Sequence, residues 1–520
     1  MGNAPDVGTT AGCYPTDTNE GNSRPRKGKH TFMALKHTTS PTLLGQHAVV
    51  IGASMAGLLA ARVLSEHFER VTLIERDQLT GMGPRKGVPQ GWQTHALLSK
   101  GAAVIESLFP DLFPALVEEG ATAADMGADL LWYQFGVGKV RFKSGIHIYS
   151  QSRPWLEAQI RQRVASRANV RVLDGFGVVQ LSASSTTGRI TGVQIRAIGE
   201  AGDTEEVAAD LVVDASGRGS QAPRWLKALG YPQVEESVVK VDVGYATRLY
   251  RRPKALPADW KILVIYCTPP QEQRTGLVQP FEGDRWSVSL SGWLKDYPPT
   301  EEVGFLEYAR SLPNPALYEL IREAEPLAPA VSYRFAANRR RYYERMSRLP
   351  EGFVVLGDAL CSFNPVYAQG MTVAAIEVET LQTCLQQRQR RQGNLIGLTR
   401  QFQKAAARTV SAAWMFTTSE DFRYPQTEGK RPIGIGLFQW YTRRLLEAAA
   451  ENPRLALRFY HVMHMQKSPT TLFAPQVLAA VLFRKKAAAP TWDEQPARPN
   501  QPSDAEELTA VRALVEEARR

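Results

Sequence analysis

Apolar residues along the chain fall into two kinds of pattern. Short unbroken runs, Val49-Val50-Ile51, Val71 to Ile74, Val170 to Leu173, Val207 to Asp214 and Phe353 to Leu356, read as strands buried on both faces. Between and after them lie stretches of helical character: Leu58 to Leu64, Ala96 to Phe109, Ser152 to about Ala168, and about Thr372 to Gln387. From Ser237 to about Tyr297 the pattern changes. Val241, Val243, Tyr245, Thr247 and Leu249 alternate with their neighbours, which predicts antiparallel strands with one covered face. Residues 303–323 return to helix, and Leu437–Ala449, Arg454–Met465 and Pro475–Phe483 are amphipathic. The predicted class is α/β: a parallel sheet interleaved with a mixed-β layer and followed by helices.

The first two runs flank a glycine-containing turn. Gly52-Ala53-Ser54-Met55-Ala56-Gly57 leads from strand to helix, and Glu75 ends the second strand, 23 positions after the first glycine. This is the βαβ unit and spacing of a dinucleotide-binding fingerprint. Gly52 can adopt a backbone conformation closed to other residues, and Gly57 leaves room for close helix packing. The amides at Ser54, Met55 and Ala56 open the helix toward a pyrophosphate, favoured there by the helix dipole. Glu75 can accept from a ribose diol and disfavours a 2′-phosphate. Strand, helix and acid together do not separate FAD from NAD.

Further candidates follow along the chain. Gly81 to Gly91 is a glycine- and proline-rich loop leaving the second strand, so Arg85, Gln93 and His95 are candidates to line cofactor or substrate. Tyr245, in the alternating layer, joins Gln93 and His95 as a substrate-lining candidate. Ser152-Arg153-Pro154 opens a helix with Glu157 in its first turns, and Arg153 can reach a cofactor phosphate. Asp214-Ala215-Ser216-Gly217-Arg218 ends another strand and places backbone amides, Asp214 and Arg218 at a cofactor edge. Gly357-Asp358 ends a later strand, and CSFNPVYAQGM, with Pro365, Gly370 and Met371, leads into a long helix. Asp358 can hold the ribityl hydroxyls of a flavin. The helix start can face the pyrimidine edge of its ring, where the dipole favours the negative charge of the reduced form. An NAD domain has no need of this second, distant contact.

With these motifs in order, the chain resembles the class A flavin monooxygenase superfamily, the para-hydroxybenzoate hydroxylase and squalene epoxidase group, over roughly residues 46–390. The RKGVPQG loop and the CSFNPVYAQGM segment look closest to uncharacterised bacterial branches and to polyether-type epoxidases. The resemblance implies a glutathione-reductase-type FAD-binding domain with an interleaved substrate domain. It implies FAD held by Gly52, Gly57, Glu75, Arg153 and Asp358, with NADPH or NADH and O2 as cosubstrates. The activity implied is hydroxylation or epoxidation of an apolar small molecule through a flavin C4a-hydroperoxide. The alternatives are a double-bond reductase, a halogenase-like enzyme, or a flavoprotein that uses FAD as a scaffold. Trp286 and Trp293 do not form the W-x-W-x-I-P pattern of flavin halogenases. The sequence departs from the family where Ala215 and Ser216 separate Asp214 from Gly217, a motif tied to both cofactors. A separate flavin reductase is therefore the alternative to direct reduction by a pyridine nucleotide.

Composition narrows the surroundings of this chemistry. The chain has 520 residues and a formal charge of +10, with basic residues scattered and locally clustered at Arg339–Arg341 and Arg388–Arg391. No aromatic-interleaved basic motif points to nucleic acid. Four cysteines lack metal-like spacing, and His461 and His464 have no third ligand, so no metal is expected and a reducing cytoplasm is. No apolar run approaches a spanning length, which leaves membrane contact at most peripheral. The expected organisation is a disordered leader at 1–45, with Met33 an alternative start. A discontinuous FAD-binding domain at 46–235 and 346–395 encloses a mixed-sheet substrate domain at 236–345. A helical region at 396–489 follows, then a proline-rich linker and terminal helix at 490–520.

Overall fold

The computed structural model describes residues 43–483 except 200–201, 254–258 and 392. The leader up to residue 42, Cys13, Met33 and the segment read as linker and terminal helix lie outside the described residues.

β1 (Gly45–Ile51), α1 (Met55–Leu64) and β2 (Phe68–Glu75) form the expected unit. β1 is central in a five-stranded sheet ordered Phe353–Val355, Leu211–Asp214, β1, β2, Val170–Asp174, in which every pairing is parallel. Ala48, Val49 and Val50 are wholly buried, as are Leu58 and Leu59 of α1, which accounts for the unbroken apolar runs. Helices α1 and Gly370–Arg391 pack against each other, so the two glycine-bearing strand ends open on one space.

The single strand expected over Val207–Asp214 is two. Glu205–Ala208 pairs antiparallel with Ile190–Ala197 in a three-stranded sheet, whereas Leu211–Asp214 pairs parallel with β1. The break falls at Asp210, whose carboxylate accepts the Gln46 and His47 amides at 2.7 and 3.0 Å and pins the chain where it changes sheet.

The alternating segment builds an eight-stranded mixed sheet. Its long strands, Glu236–Arg251, Arg274–Phe281, Arg285–Gly292 and Val331–Arg341, pair antiparallel. Two short strands from within the 46–235 segment, Leu130–Gln134 and Val137–Gly138, extend this sheet, the first running parallel to Ile262–Ile265. Helices Ile435–Ala449, Pro453–Met463 and Pro475–Leu482 cover that extension, with Leu445, Phe459 and Tyr460 packed against Leu130, Trp132 and Ile262. The 24-residue helix Leu398–Asp421 lies within the segment expected to be helical and packs against Gly370–Arg391, burying Leu398, Phe402 and Val410 along with the smaller Ala406, Ala413 and Thr417. Among the described residues no helix is long and apolar enough to cross a membrane.

Candidate functional site

The turn after β1 requires its glycines. Gly52 has φ +97°, and a Cβ there would lie 2.6 Å from the Ala215 carbonyl oxygen. A Cβ on Gly57 would lie 1.8 Å from the carbonyl oxygen of Gly52, so the first turn of α1 closes directly over the loop. Ser54 occupies the N-cap position without capping, which leaves the opening amides of α1 to the space in front of them.

That space is a cavity of about 820 Å³, near the upper end for small-molecule and cofactor sites. Gly52, Ser54, Met55, Ala56, Glu75, Arg85, Arg153, Arg218, Asp358, Pro365, Gly370 and Met371 all line it. Two of the sequence candidates do not. Gly57 acts from beneath, by the packing just described. Asp214, expected at the cofactor edge, is fully buried; its carboxylate accepts from Ser216 Oγ and Ser220 Oγ at 2.5 and 2.6 Å and from the Ser216 amide. Its part is to fold the turn that brings Ser216 to Gly219 to the wall.

The polar wall is one connected network. Arg85 lies 3.0 Å from Glu75, 3.0 Å from Asp77 and 2.9 Å from Glu157, and donates to the Ala53 carbonyl at 3.1 Å. Arg153 donates to Ser54 Oγ at 2.6 Å and to Glu157 at 3.1 Å, and Ser54 Oγ donates to Glu157 at 2.9 Å. Glu157 is thus the hub. In the sequence it stands out only as an acid near a helix start, although its place four residues after Arg153, on the same helical face, is the available signal. On the opposite side Arg218 donates to the Tyr333 hydroxyl at 2.9 Å and lies 4.5 Å over the Phe335 ring. Burial raises the Asp358 carboxyl above its usual range, while Arg218 and Arg153 hold it down. These two cations and Asp358 therefore face a common volume.

A second cavity, of about 250 Å³, adjoins the first. Gln93, His95 and Tyr245 line it. Gln90, Thr94, His95, Ala96, Tyr333, Pro365 and Ala368 belong to both cavities and form the boundary between them. Beyond it the walls are apolar and aromatic: Trp132, Phe135 and Tyr266 from the mixed sheet side, and Leu446, Phe459 and Met463 from the C-terminal helices. Those helices are walls of the pocket as well as cover for the sheet. Its ionisable groups are neutral or paired. Burial, reinforced by Arg153, lowers His95 to about 3, and its Nδ1 pairs with the Gln93 carbonyl at 2.8 Å. Burial lowers His464 to about 4, and its Nδ1 accepts from the Ser99 amide. Glu420 is held by Arg423 at 2.7 Å. No lysine or arginine lines the pocket among the described residues.

No protein-family model matches the chain. It is 33% identical to Protein Rv3254 of Mycobacterium tuberculosis over 425 residues, which cover 79% of this chain and 87% of that protein. Among similar solved structures, the flavin-dependent brominase Bmp2 aligns with a TM-score of 0.57 at 14% identity, over 79% of this chain and 93% of its own. PqsL, a probable FAD-dependent monooxygenase from Pseudomonas aeruginosa, aligns with a TM-score of 0.54 at 16% identity, over 73% and 97%. The fold is the mixed α/β architecture of flavin-dependent monooxygenases and halogenases.

Proposed function

This chain belongs to the family of Protein Rv3254 of Mycobacterium tuberculosis, and we propose that it is a FAD-dependent monooxygenase of the class A type acting on an uncharged, largely apolar small molecule. The observation that carries the reading is the shared wall. A dinucleotide-sized cavity with two helix starts on its polar face meets an apolar pocket at His95, Tyr333, Pro365 and Ala368.

The residues present suit FAD. The Gly52–Gly57 turn is a tight loop that a Cβ at either glycine would break, because each would collide with a backbone carbonyl oxygen. The first amides of α1, with Ser54, Met55, Ala56 and Arg153, would hold the pyrophosphate. Glu75 and Arg85 would meet the adenosine ribose, Asp358 the ribityl chain, and the Gly370–Met371 helix start the pyrimidine edge of the ring, beside Pro365. Reduced and bound there, FAD supplies activation of O2 for transfer of one oxygen atom to an alkene or activated ring. The chain's part is to orient the substrate and keep the transfer dry. Trp132, Phe135, Leu446 and Phe459 exclude water from the far end of the pocket, while Gln93, His95 and Tyr245 offer neutral hydrogen-bonding groups near the boundary. A charged substrate would enter this pocket with no counter-ion.

We read Arg218 as a cation offered to NADPH or NADH and direct reduction as the preferred arrangement; a separate flavin reductase is the other. We read 46–235 and 346–395 as the cofactor domain and 236–345 as the substrate domain, joined there by the strands at 130–138 and completed by helices from 396–489, in a cytoplasmic enzyme.

Reducing the loaded enzyme without air and then admitting O2 tests the reading. A monooxygenase shows an absorbance transient before oxidised flavin returns, and its decay slows when the pocket is filled. Direct return to oxidised flavin, with and without pocket ligands, would favour the double-bond reductase or scaffold alternatives. Recovery of a halogenated product in the presence of halide would favour the halogenase.

A further inference from the structure

The carboxylate on which the buried polar groups around the boundary converge belongs to none of the cofactor motifs. Asp421 is the last residue of helix Leu398–Asp421 and is fully buried. Its Oδ1 accepts from Asn364 Nδ2 at 2.9 Å, from the Tyr367 hydroxyl at 2.9 Å and from Trp293 Nε1 at 3.3 Å. Its Oδ2 accepts from Asn338 Nδ2 at 2.7 Å. Asn338 in turn accepts the Asn364 backbone amide at 2.6 Å, so side chain and main chain of Asn364 both end on Asp421. One helical turn earlier, Thr417 donates to Gln369 Oε1 at 2.8 Å. Positions 417 and 421 share a helix face, and that face therefore grips both ends of the 364–369 loop. Between the grips, Ala368 is held at φ +54°, a left-handed conformation that costs a residue with a Cβ about 1 kcal/mol.

We propose that Asp421 is a positioning residue that fixes the Asn364–Gln369 loop as the wall between cofactor and substrate, making the C-terminal helix part of the flavin site. The proposal rests on the reading of the larger cavity as the FAD site. Pro365 and Ala368 are on both walls, so a shift of the loop moves the boundary itself. The shell around Asp421 consists of four side-chain donors from three separate segments, two of them from the 364–369 loop, which suits an anion. An amide there has one acceptor oxygen and would turn its own N–H groups toward donors. Burial pushes the Asp421 carboxyl up to about 6 against the pull of these four donors. A generic stabilising network has no need to collect Asn364, Tyr367 and, through Thr417, Gln369 from one short loop.

Hydrogen–deuterium exchange of residues 362–371, in apo and FAD-supplied protein, together with iodide quenching of bound flavin fluorescence, tests this in Asp421→Asn, Tyr367→Phe and Thr417→Val. Asp421→Asn is expected to speed exchange in the loop about tenfold while peptides of β1 and Leu211–Asp214 keep wild-type rates. It should also raise iodide quenching at unchanged FAD stoichiometry, with Tyr367→Phe and Thr417→Val changing both in the same direction by less. If Asp421→Asn does not fold, the two single-bond variants must still show both effects. Wild-type exchange and quenching in the variants would overturn the proposal, as would exchange raised uniformly across the chain. A wild-type protein that takes up no FAD sinks the cofactor reading instead, and the apo exchange data then decide the positioning role alone.

Discussion

The Arg85 guanidinium lies 3.0 Å from Glu75, so the acid that the fingerprint offers to a ribose already has a counter-ion from the glycine-rich loop. Glu75 also accepts the Ala53 amide at 2.8 Å, which ties the turn after β1 to the end of β2. Arg85 spans three carboxylates, and the two in its closest wall, Glu75 and Glu157, are buried. Removing it leaves them without their main cation. Arg85→Ala is expected to cost about 3 kcal/mol of stability, the usual order for breaking a buried pair from one side, and to weaken FAD binding; Arg85→Lys should recover part of both. Thermal melts and flavin titrations read the two effects. Unchanged melting and affinity in Arg85→Ala would show a surface loop arginine.

A pH signature is built under the second strand-end turn. Glu377 is fully buried, its Oε2 accepting the Gly357 amide. Burial, with Asp358 nearby, raises its carboxyl from 4.5 to about 8 despite that bond. The folded state thus keeps a proton that the unfolded chain has released. The stabilisation is complete below about 4.5 and is lost as pH rises toward about 8. Glu377→Gln is neutral throughout, so its melting temperature should match wild type near the acid end of that window and exceed it increasingly toward the alkaline end. A gap that does not change with pH would contradict this.

The pocket's charge balance sets a ligand preference. 2-Naphthol should perturb the bound flavin spectrum, whereas 6-hydroxy-2-naphthoate, which adds only a carboxylate, should bind about a hundredfold more weakly. Met463→Trp, which fills the pocket from a helix remote from the cofactor motifs, should abolish the 2-naphthol response at full FAD content. Equal affinities for the two probes would mean that a cation reaches the pocket.

Arg218 bears on the route of reduction. Arg218→Ala should raise the KM for NADPH or NADH by about tenfold, the scale of a lost charge-assisted hydrogen bond, and leave FAD content intact. Stopped-flow bleaching of the flavin measures it. Equal loss of FAD would make Arg218 structural through Tyr333 and Phe335, and no bleaching of wild type by either nucleotide would call for a separate reductase.

What could be read from the sequence was what local chemistry dictates. Gly52, Gly57, Glu75 and Gly357-Asp358 declare themselves because a positive φ, a close approach or a strand-end acid is a requirement met within a few residues. The break at Asp210 was hidden, since what divides the apolar run is a pair of amides more than 160 positions away. Glu157 was visible only as a helix-start acid, because its partner Arg85 stands 72 positions earlier. Asp421 gave no signal at all. Its donors come from residues 293, 338, 364 and 367, and only the tertiary fold brings them to one carboxylate. Asp214, by contrast, turns away from the cavity because two serines close in sequence take up its oxygens.

The flavin content of the purified protein tests the central claim most directly. Wild type should be yellow and release one FAD per chain on denaturation, identified by mass. Gly57→Val should carry none, since even its Cβ would lie 1.8 Å from the Gly52 carbonyl oxygen. A wild-type protein that holds no flavin, and binds none when FAD is supplied in excess, would contradict the account.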